Sequence, residues 1–358
     1  MVIPVYNEPV WIGRCISSLM TALRNSPFTQ PELIVVDDGS DKPTKDALAA
    51  LAPEVPMRVI TQENQGRFTA RRVGIRAARG DLLLLLDSRV SIAADSLEFV
   101  ASRLNGDRLP VWNAHVDIDV KGDPYARFWR TVTYAAWRDY LSDPRTTSFG
   151  LEDYDRYPKG TTCFMAPRTA LLRALDEFRT MYQDSRFVND DTVLIRSIAA
   201  EHRINISPGF ACRYRSRDSL SGFLRHSFHR GTVFLDGFGR RGTRFFPVLV
   251  AFFPATLAFA ALAVRRPSWA LRLASTGPLA AACFATILRR PARDVFAFSA
   301  LAGPFAVAYS AGIWRGALLA ARSRTEKGES GWLGRDHERV QAGVDPGVGP
   351  GGASGRDQ

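Results

Sequence analysis

Three successive apolar stretches constrain this chain more than any other feature. Residues 245–264 read FFPVLVAFFPATLAFAALAV without a single charge. A helix of that length, at about 1.5 Å per residue, matches the roughly 30 Å hydrocarbon layer of a bilayer. Residues 269–288 are apolar apart from Arg272, whose long side chain can reach the headgroups, and residues 295–314 are again free of charge. Arginines mark every boundary: Arg240, Arg241 and Arg244 before the first stretch, Arg265 and Arg266 after it, Arg289, Arg290 and Arg293 before the third, and Arg315 after it. With both sides basic, the positive-inside rule assigns no orientation. Burying three such helices in a soluble domain of this size is the competing reading, and the number and arginine flanks of the stretches weigh against it. Two to three transmembrane helices are expected within residues 236–322, with a disordered tail over 323–358, where periodicity and apolar mass run out.

The chain carries 47 Lys and Arg against 36 Asp and Glu, a net charge of +11. Only five of the cations are lysines, and the arginines are spread along the whole sequence rather than gathered on one element. No helix-turn-helix, zinc-finger or RNA-binding pattern accompanies them, so nucleic acid is not the expected partner. The positive charge fits membrane ends and an anionic substrate better. Cys15, Cys163, Cys212 and Cys283 are far apart and form no CxxC pair, which excludes a zinc ribbon or a disulfide scaffold. They are expected as small buried hydrophobes. Met1 leads straight into a strand-like run with no basic flank, so no signal peptide is expected and the natural start is expected further upstream.

The first 235 residues have a different pattern. Apolar runs of strand length at 2–5, 32–36 and 81–86 are each followed by polar residues. Trp11, Cys15, Ile16 and Leu19 recur at helical spacing, and 68–79 reads as a helix before the third strand. Strand-helix-strand order predicts an α/β fold with parallel strands joined by right-handed crossovers, and ligands bind such sheets at the carboxyl ends of the strands. Those ends carry Pro4 to Glu8, Asp37 to Ser40, and Asp87, Ser88, Arg89. Each alone is compatible with an ordinary turn or helix cap.

In combination, VIPVYNE, then VVDDGS, then Asn64-Gln65-Gly66 leading through a helix to ARGDLLLLLDSR, resemble glycosyltransferase family 2. The resemblance covers about residues 1–235. It implies an inverting enzyme with the GT-A nucleotide-sugar fold, a Rossmann-like mixed sheet flanked by helices. It places Pro4, Tyr6 and Glu8 beside the nucleoside and gives Asp38 the role of accepting from the base, while Asp37 caps a turn. Gly66 and Arg71 then mark a helix start near the nucleotide, where Arg71 or Arg72 can reach the diphosphate, and a solvated helix face is the equal alternative for these two arginines. Asp87-Ser88-Arg89 stands where the family has DxD, whose carboxylates hold Mg or Mn on the diphosphate. With Arg89 in the last place two outcomes are open. A divalent cation is held by Asp87 with a histidine such as His229, or Arg89 itself neutralises phosphate charge.

The resemblance also assigns the acceptor half. Gly160 to Phe164 matches the turn that closes over the donor sugar, which places Thr162 at the acceptor or diphosphate. Asn189-Asp190-Asp191 matches the family's acidic segment, with Asp191 as general base beside Asp190. An acidic first turn of a helix is the plain structural alternative. The segment from His226 to Gly231 occupies the place of the family's QxxRW motif, which is absent as such, and its His229 and Arg230 face phosphate or lipid headgroups. The function so implied is sugar transfer from a nucleoside-diphosphate sugar to a lipid-linked or envelope-glycan acceptor at the cytoplasmic membrane face. A polysaccharide synthase subunit and a non-catalytic nucleotide-sugar-binding membrane scaffold are the alternatives.

Overall fold

The computed structural model describes residues 1–104, 110–239 and 241–341, by backbone alone after Ser323. In chain order the elements are β1 (Val2–Val5), α1 (Trp11–Arg24), β2 (Leu33–Asp38), α2 (Lys42–Ala49), β3 (Met57–Gln62), α3 (Arg67–Ala77), β4 (Leu82–Leu86), β5 (Val90–Ile92), α4 (Ser96–Ala101) and β6 (Val111–Ile118). Then follow α5 (Pro124–Ala136), α6 (Arg138–Leu141), β7 (Thr147–Phe149), β8 (Cys163–Pro167), α7 (Arg168–Asp176), α8 (Asp190–Glu201), β9 (Ile204–Tyr214) and α9 (Leu220–Phe238). The chain continues with α10 (Phe246–Arg265), α11 (Pro267–Ile287) and α12 (Ala292–Gln341).

Nine strands form one sheet in the order β3-β2-β1-β4-β8-β6-β9-β5, with β7 on β9. β1 pairs in parallel with β2, Val2 opposite Ile34 and Val5 opposite Asp37, and with β4, Val2 opposite Leu85. β8 then runs antiparallel to β4, with Leu86 opposite Cys163, so the sheet is mixed. Alternation along each strand builds two cores. Val2, Ile34, Leu83 and Leu85 pack with Ile75 of α3, Leu171 of α7 and Ile195 of α8, while Ile3, Val35, Leu84 and Leu86 pack with Ile12, Cys15 and Leu19 of α1. The expected parallel strands are present, and β2 runs two residues further than expected, taking Asp37 and Asp38 into the strand end. Cys15, Cys163 and Cys212 are buried free thiols, whereas Cys283 is exposed on α11.

Since β1, β2 and β4 are parallel, their carboxyl ends emerge on one rim of the sheet. Asn7 makes the turn after β1 with a φ of 53°, a conformation that Asn tolerates better than most residues. Its Oδ1 accepts from Asp41 N at 2.8 Å, and its own N–H donates to Ser40 Oγ at 3.1 Å, tying the first rim loop to the second.

Among the described residues, three helices are long and apolar enough to cross a membrane: Phe246–Arg265, Pro267–Ile287 and Ala292–Ser323. They carry exposed Val248, Leu257, Leu271, Leu279, Phe296 and Val307, a surface suited to lipid rather than water. The third is longer than the 295–314 read from the sequence, and its helix continues to Gln341, so the loose tail expected from 323 begins as helix. Extending a nucleated helix costs little per residue. Residues 342–358 of that expected tail lie outside the described residues.

The α/β domain and the apolar helices share an interface. α9 crosses α12 where Gly231 meets Gly312; a Cβ at Gly231 would stand 2.2 Å from Tyr309 O, and one at Gly312 would stand 2.1 Å from Phe228 O. Phe128 of α5 stacks on Phe298 of α12 at 5.0 Å. Asp294, fully buried, accepts from Arg127 at 3.0 Å, Arg130 at 2.6 Å and Arg290 at 3.0 Å.

Candidate active site

The rim loops open into a cavity of about 690 Å³. Pro4, Tyr6, Glu8, Asp38, Gly66, Asp87 and Arg89 line its polar end, and Asp191, His229 and Arg230 face it from α8 and α9. The structure therefore gathers residues separated by more than two hundred positions. Arg71, Asp190 and Thr162 stand outside the cavity wall.

Asp38 is 3% exposed and braces the loop beside it: Gln65 N and Gly66 N donate to its two oxygens at 2.9 Å each, and Gln62 Nε2 donates at 2.7 Å. Three of a carboxylate's roughly four acceptor positions are thus committed to the protein, where the sequence suggested a base contact. Gly66 starts α3 with a φ of +88°, and a Cβ there would come within 2.7 Å of Arg186 Cα, so glycine is required on both counts. Asp37 accepts from Ser40 N at 2.9 Å, as a turn cap.

Arg71 is buried rather than facing a diphosphate. Its guanidinium bridges Asp87 and Asp190, and reaches Asp191 at 3.5 Å. Arg67, one helical turn earlier, pairs with Asp190 at 3.0 Å and Asp191 at 3.4 Å. The α3 spacing places both arginines on one face, directed at the first turn of α8. That turn is capped by Asn189, whose Oδ1 accepts from Thr192 N at 3.0 Å. Both Asp190 and Asp191 also favour the positive helix end, so the structural and chemical readings of this segment coexist.

Asp191 alone of the pair reaches the cavity. It accepts from the backbone N–H of Thr161 at 3.1 Å and from the Thr161 hydroxyl. Burial would raise its pKa, but Arg67, Arg71 and the Thr161 hydrogen bonds outweigh it and hold the carboxyl well below the usual range. Thr162, the residue expected at the acceptor, instead offers its carbonyl to Asp87 N at 2.9 Å, because in the turn before β8 it is Thr161 that is buried against α8.

Glu8 is 5% exposed between two cations, Arg89 at 2.9 Å and Arg217 at 2.7 Å. Arg89 also donates Nε to Arg215 O at 2.9 Å and Nη2 to Ser216 O at 2.6 Å, and lies 5.3 Å from the Trp11 ring. It clamps the loop after β9 to the rim. His226, half-buried, and His229, more exposed, both line the cavity. Desolvation, together with Arg67 and Arg230, lowers the pKa of His229 to about 4 and that of His226 well below its ordinary value, so both imidazoles are neutral near pH 7.

A carboxylate-pair metal site does not fit this arrangement. Asp87 is paired with Arg71, and the last position of the DxD-like motif is Arg89. Among the described residues, no set of three or more His, Cys, Asp and Glu is arranged to hold a metal ion.

Sequence reasoning missed three contributors. Thr161 was hidden because two threonines are adjacent, Arg217 because nothing local marks it, and Asp236 because it sits in a helix without a motif. Asp236 is fully buried and accepts from Thr180 Oγ1 at 2.9 Å, Met181 N at 2.7 Å and Asn189 N at 2.9 Å, holding the chain that leads into α8.

A mixed sheet with acidic strand ends on one rim, a capped acidic helix opposite and a basic cavity between them defines the GT-A class of nucleotide-sugar-binding folds. Residues 1–176 match the family model for glycosyl transferase family 2, and this part of the chain belongs to that family. It is 36% identical over 99 residues to the putative glycosyltransferase EpsH of Bacillus subtilis, a match covering 27% of this chain and 28% of that protein. It is 35% identical over 92 residues to the undecaprenyl-phosphate 4-deoxy-4-formamido-L-arabinose transferase of Serratia proteamaculans, covering 25% of this chain and 28% of that one. The chain thus spans under a third of the length of these two relatives. The mannosyltransferase PcManGT from Pyrobaculum calidifontis, solved with GDP-Man and Mn2+, shares the fold with a TM-score of 0.52 at 18% identity, over 87% of this chain and 86% of that one.

Proposed function

We propose that the protein is a membrane-anchored inverting glycosyltransferase that moves a sugar from a nucleoside-diphosphate sugar to a lipid-linked acceptor, with the catalytic domain on the cytoplasmic side, where such donors are made. The observation that carries this reading is the continuity of the cavity. From the polar rim it runs past Arg230 and His229 to an apolar wall of Trp129, Val132, Phe234, Phe245 and Phe305, Phe245 immediately preceding α10 and Phe305 lying in α12. A nucleotide suits the first end and a lipid chain the second. The name of the Serratia relative supports a polyprenyl phosphate as the lipid.

In the reaction the acceptor oxygen forms a bond to the anomeric carbon while the bond from that carbon to the diphosphate oxygen breaks, and the electron pair leaves with the nucleoside diphosphate. A hydroxyl acceptor passes its proton to Asp191, and a phosphate acceptor arrives ionised and needs no strong base. The depressed pKa of Asp191 favours the phosphate. Fixed arginines meet the charge that builds on the leaving group.

Radiolabelled nucleotide sugars incubated with membranes containing the protein should yield label that extracts into organic solvent. Label that stays in a non-extractable polymer supports the synthase alternative, and nucleotide binding without any turnover supports the scaffold. Asp191→Asn should reduce transfer to a hydroxyl acceptor by about a hundredfold or more with donor affinity nearly unchanged, and should affect transfer to an ionised phosphate acceptor far less. Near-normal turnover with a hydroxyl acceptor in that variant removes Asp191 from the base position.

A further inference from the structure

The way the cavity handles charge departs from what a metal-assisted transferase needs. A cation on the donor diphosphate draws on free carboxylate oxygens, and here one oxygen of Asp87 is committed to Arg71 while the last acid of the motif is replaced by Arg89. Arg71, its side chain 3% exposed, holds Asp87 on one side and Asp190 on the other. A dication brought to Asp87 would lie against that guanidinium or have to displace it, and breaking one side of a buried ion pair leaves an uncompensated charge. Arg89 cannot swing away to make room, since Glu8 and the carbonyls of Arg215 and Ser216 hold it.

The opposite resource, positive charge facing the cavity, is plentiful. Arg67, Arg217 and Arg230 all line it, Arg67 already paired with Asp190 and Asp191 and Arg217 sharing Glu8 with Arg89. Glu8 is one carboxylate shared by two guanidiniums. Arg230 has no carboxylate partner among the described residues and lies 5.2 Å over the Trp129 ring, presenting its donors to the cavity. Desolvation first, and then the same arginines, lower the pKa of His226 and His229. An anion with two phosphates supplies the missing charge, and guanidinium forks bind phosphate oxygens in pairs.

We propose that this protein binds and expels its nucleoside diphosphate without a divalent cation, Arg217 and Arg230 taking the charge that a metal would carry. The inference rests on the nucleotide-sugar reading above. As the bond from the anomeric carbon to the diphosphate oxygen breaks, the electron pair goes to the diphosphate, and the two guanidiniums stabilise it in place.

Full-length protein in detergent, stripped with excess EDTA, would be titrated calorimetrically with uridine and guanosine diphosphates, then again with Mn2+ or Mg2+ added. The expected result is binding in EDTA within about threefold of that with metal. Arg230→Ala should weaken it about tenfold or more, with a smaller loss for the matching monophosphate and partial recovery in Arg230→Lys. Binding that appears only with metal, or tightens more than about tenfold with it, overturns the proposal while leaving the donor reading intact. Absence of binding to any nucleoside diphosphate, with and without metal, defeats the donor reading and this proposal with it.

Discussion

Lys159 shows how a single residue inherits its chemistry from its surroundings. Its ammonium donates to the carbonyls of Tyr154 and Tyr157, lies 4.0 Å from the Tyr154 ring, and faces the cavity. Burial, with Arg196 and Arg244 nearby, outweighs the pull of Asp155 and Asp153 and lowers its pKa from 10.5 to about 7. The unfolded chain keeps that proton up to about pH 10, so between pH 7 and 10 the unfolded state binds more protons than the folded one, and stability rises with pH. The thermal midpoint of the wild type should therefore climb from pH 7 to 9 relative to Lys159→Met, in which the difference is removed. A parallel pH response in both proteins would show that Lys159 carries no such linkage. Asp87 and Arg71 illustrate the limit of reading residues singly: the sequence offered Asp87 to a metal and Arg71 to a phosphate, and in the fold they neutralise each other.

At the scale of elements, the placement of α8 matters most. Its first turn is held by Arg67 and Arg71 on one side and, through Asn189, by Asp236 of α9 on the other. α9 leads into the first apolar helix, so the element that carries Asp191 is fixed partly from the membrane side. Gly237 makes the approach possible, since a Cβ there would lie 2.2 Å from Asn189 Nδ2. Asp236→Asn should lower kcat about ten- to a hundredfold, because a small displacement of a reacting group has that effect, while nucleoside diphosphate affinity changes little. An equal loss in affinity and turnover would point to general damage rather than to positioning. β1, β2, β4, α1 and α3 were legible, because apolar runs and helical apolar periods are local signals, whereas β3, whose residues are half exposed, was not. β5, β7 and β9 were not, because short or antiparallel strands far along the chain are decided by their partners.

For the whole molecule, the join between the α/β domain and the apolar helices carries one buried acid. Asp294 at the start of α12 serves Arg127 and Arg130 of α5 and Arg290 before it. Asp294→Ala strands three guanidiniums and should cost about 3–5 kcal/mol, seen as a lowered thermal unfolding midpoint in detergent. Asp294→Asn, which keeps hydrogen-bond acceptance at one atom, should lose less; an unchanged midpoint in the alanine variant would show that the clamp adds no stability. The sequence by itself determined that three helices are apolar enough for a membrane, that an α/β domain precedes them, and that the strand-end motifs carry the family's character, because composition and period are properties of consecutive residues. Only the tertiary structure decided which charges meet. Arg71 between Asp87 and Asp190, Arg89 on Glu8, Thr161 rather than Thr162 on Asp191, and a cavity that runs from rim to apolar helices all depend on distances between elements remote in the chain, and electrostatic pairing follows distance and burial rather than sequence order.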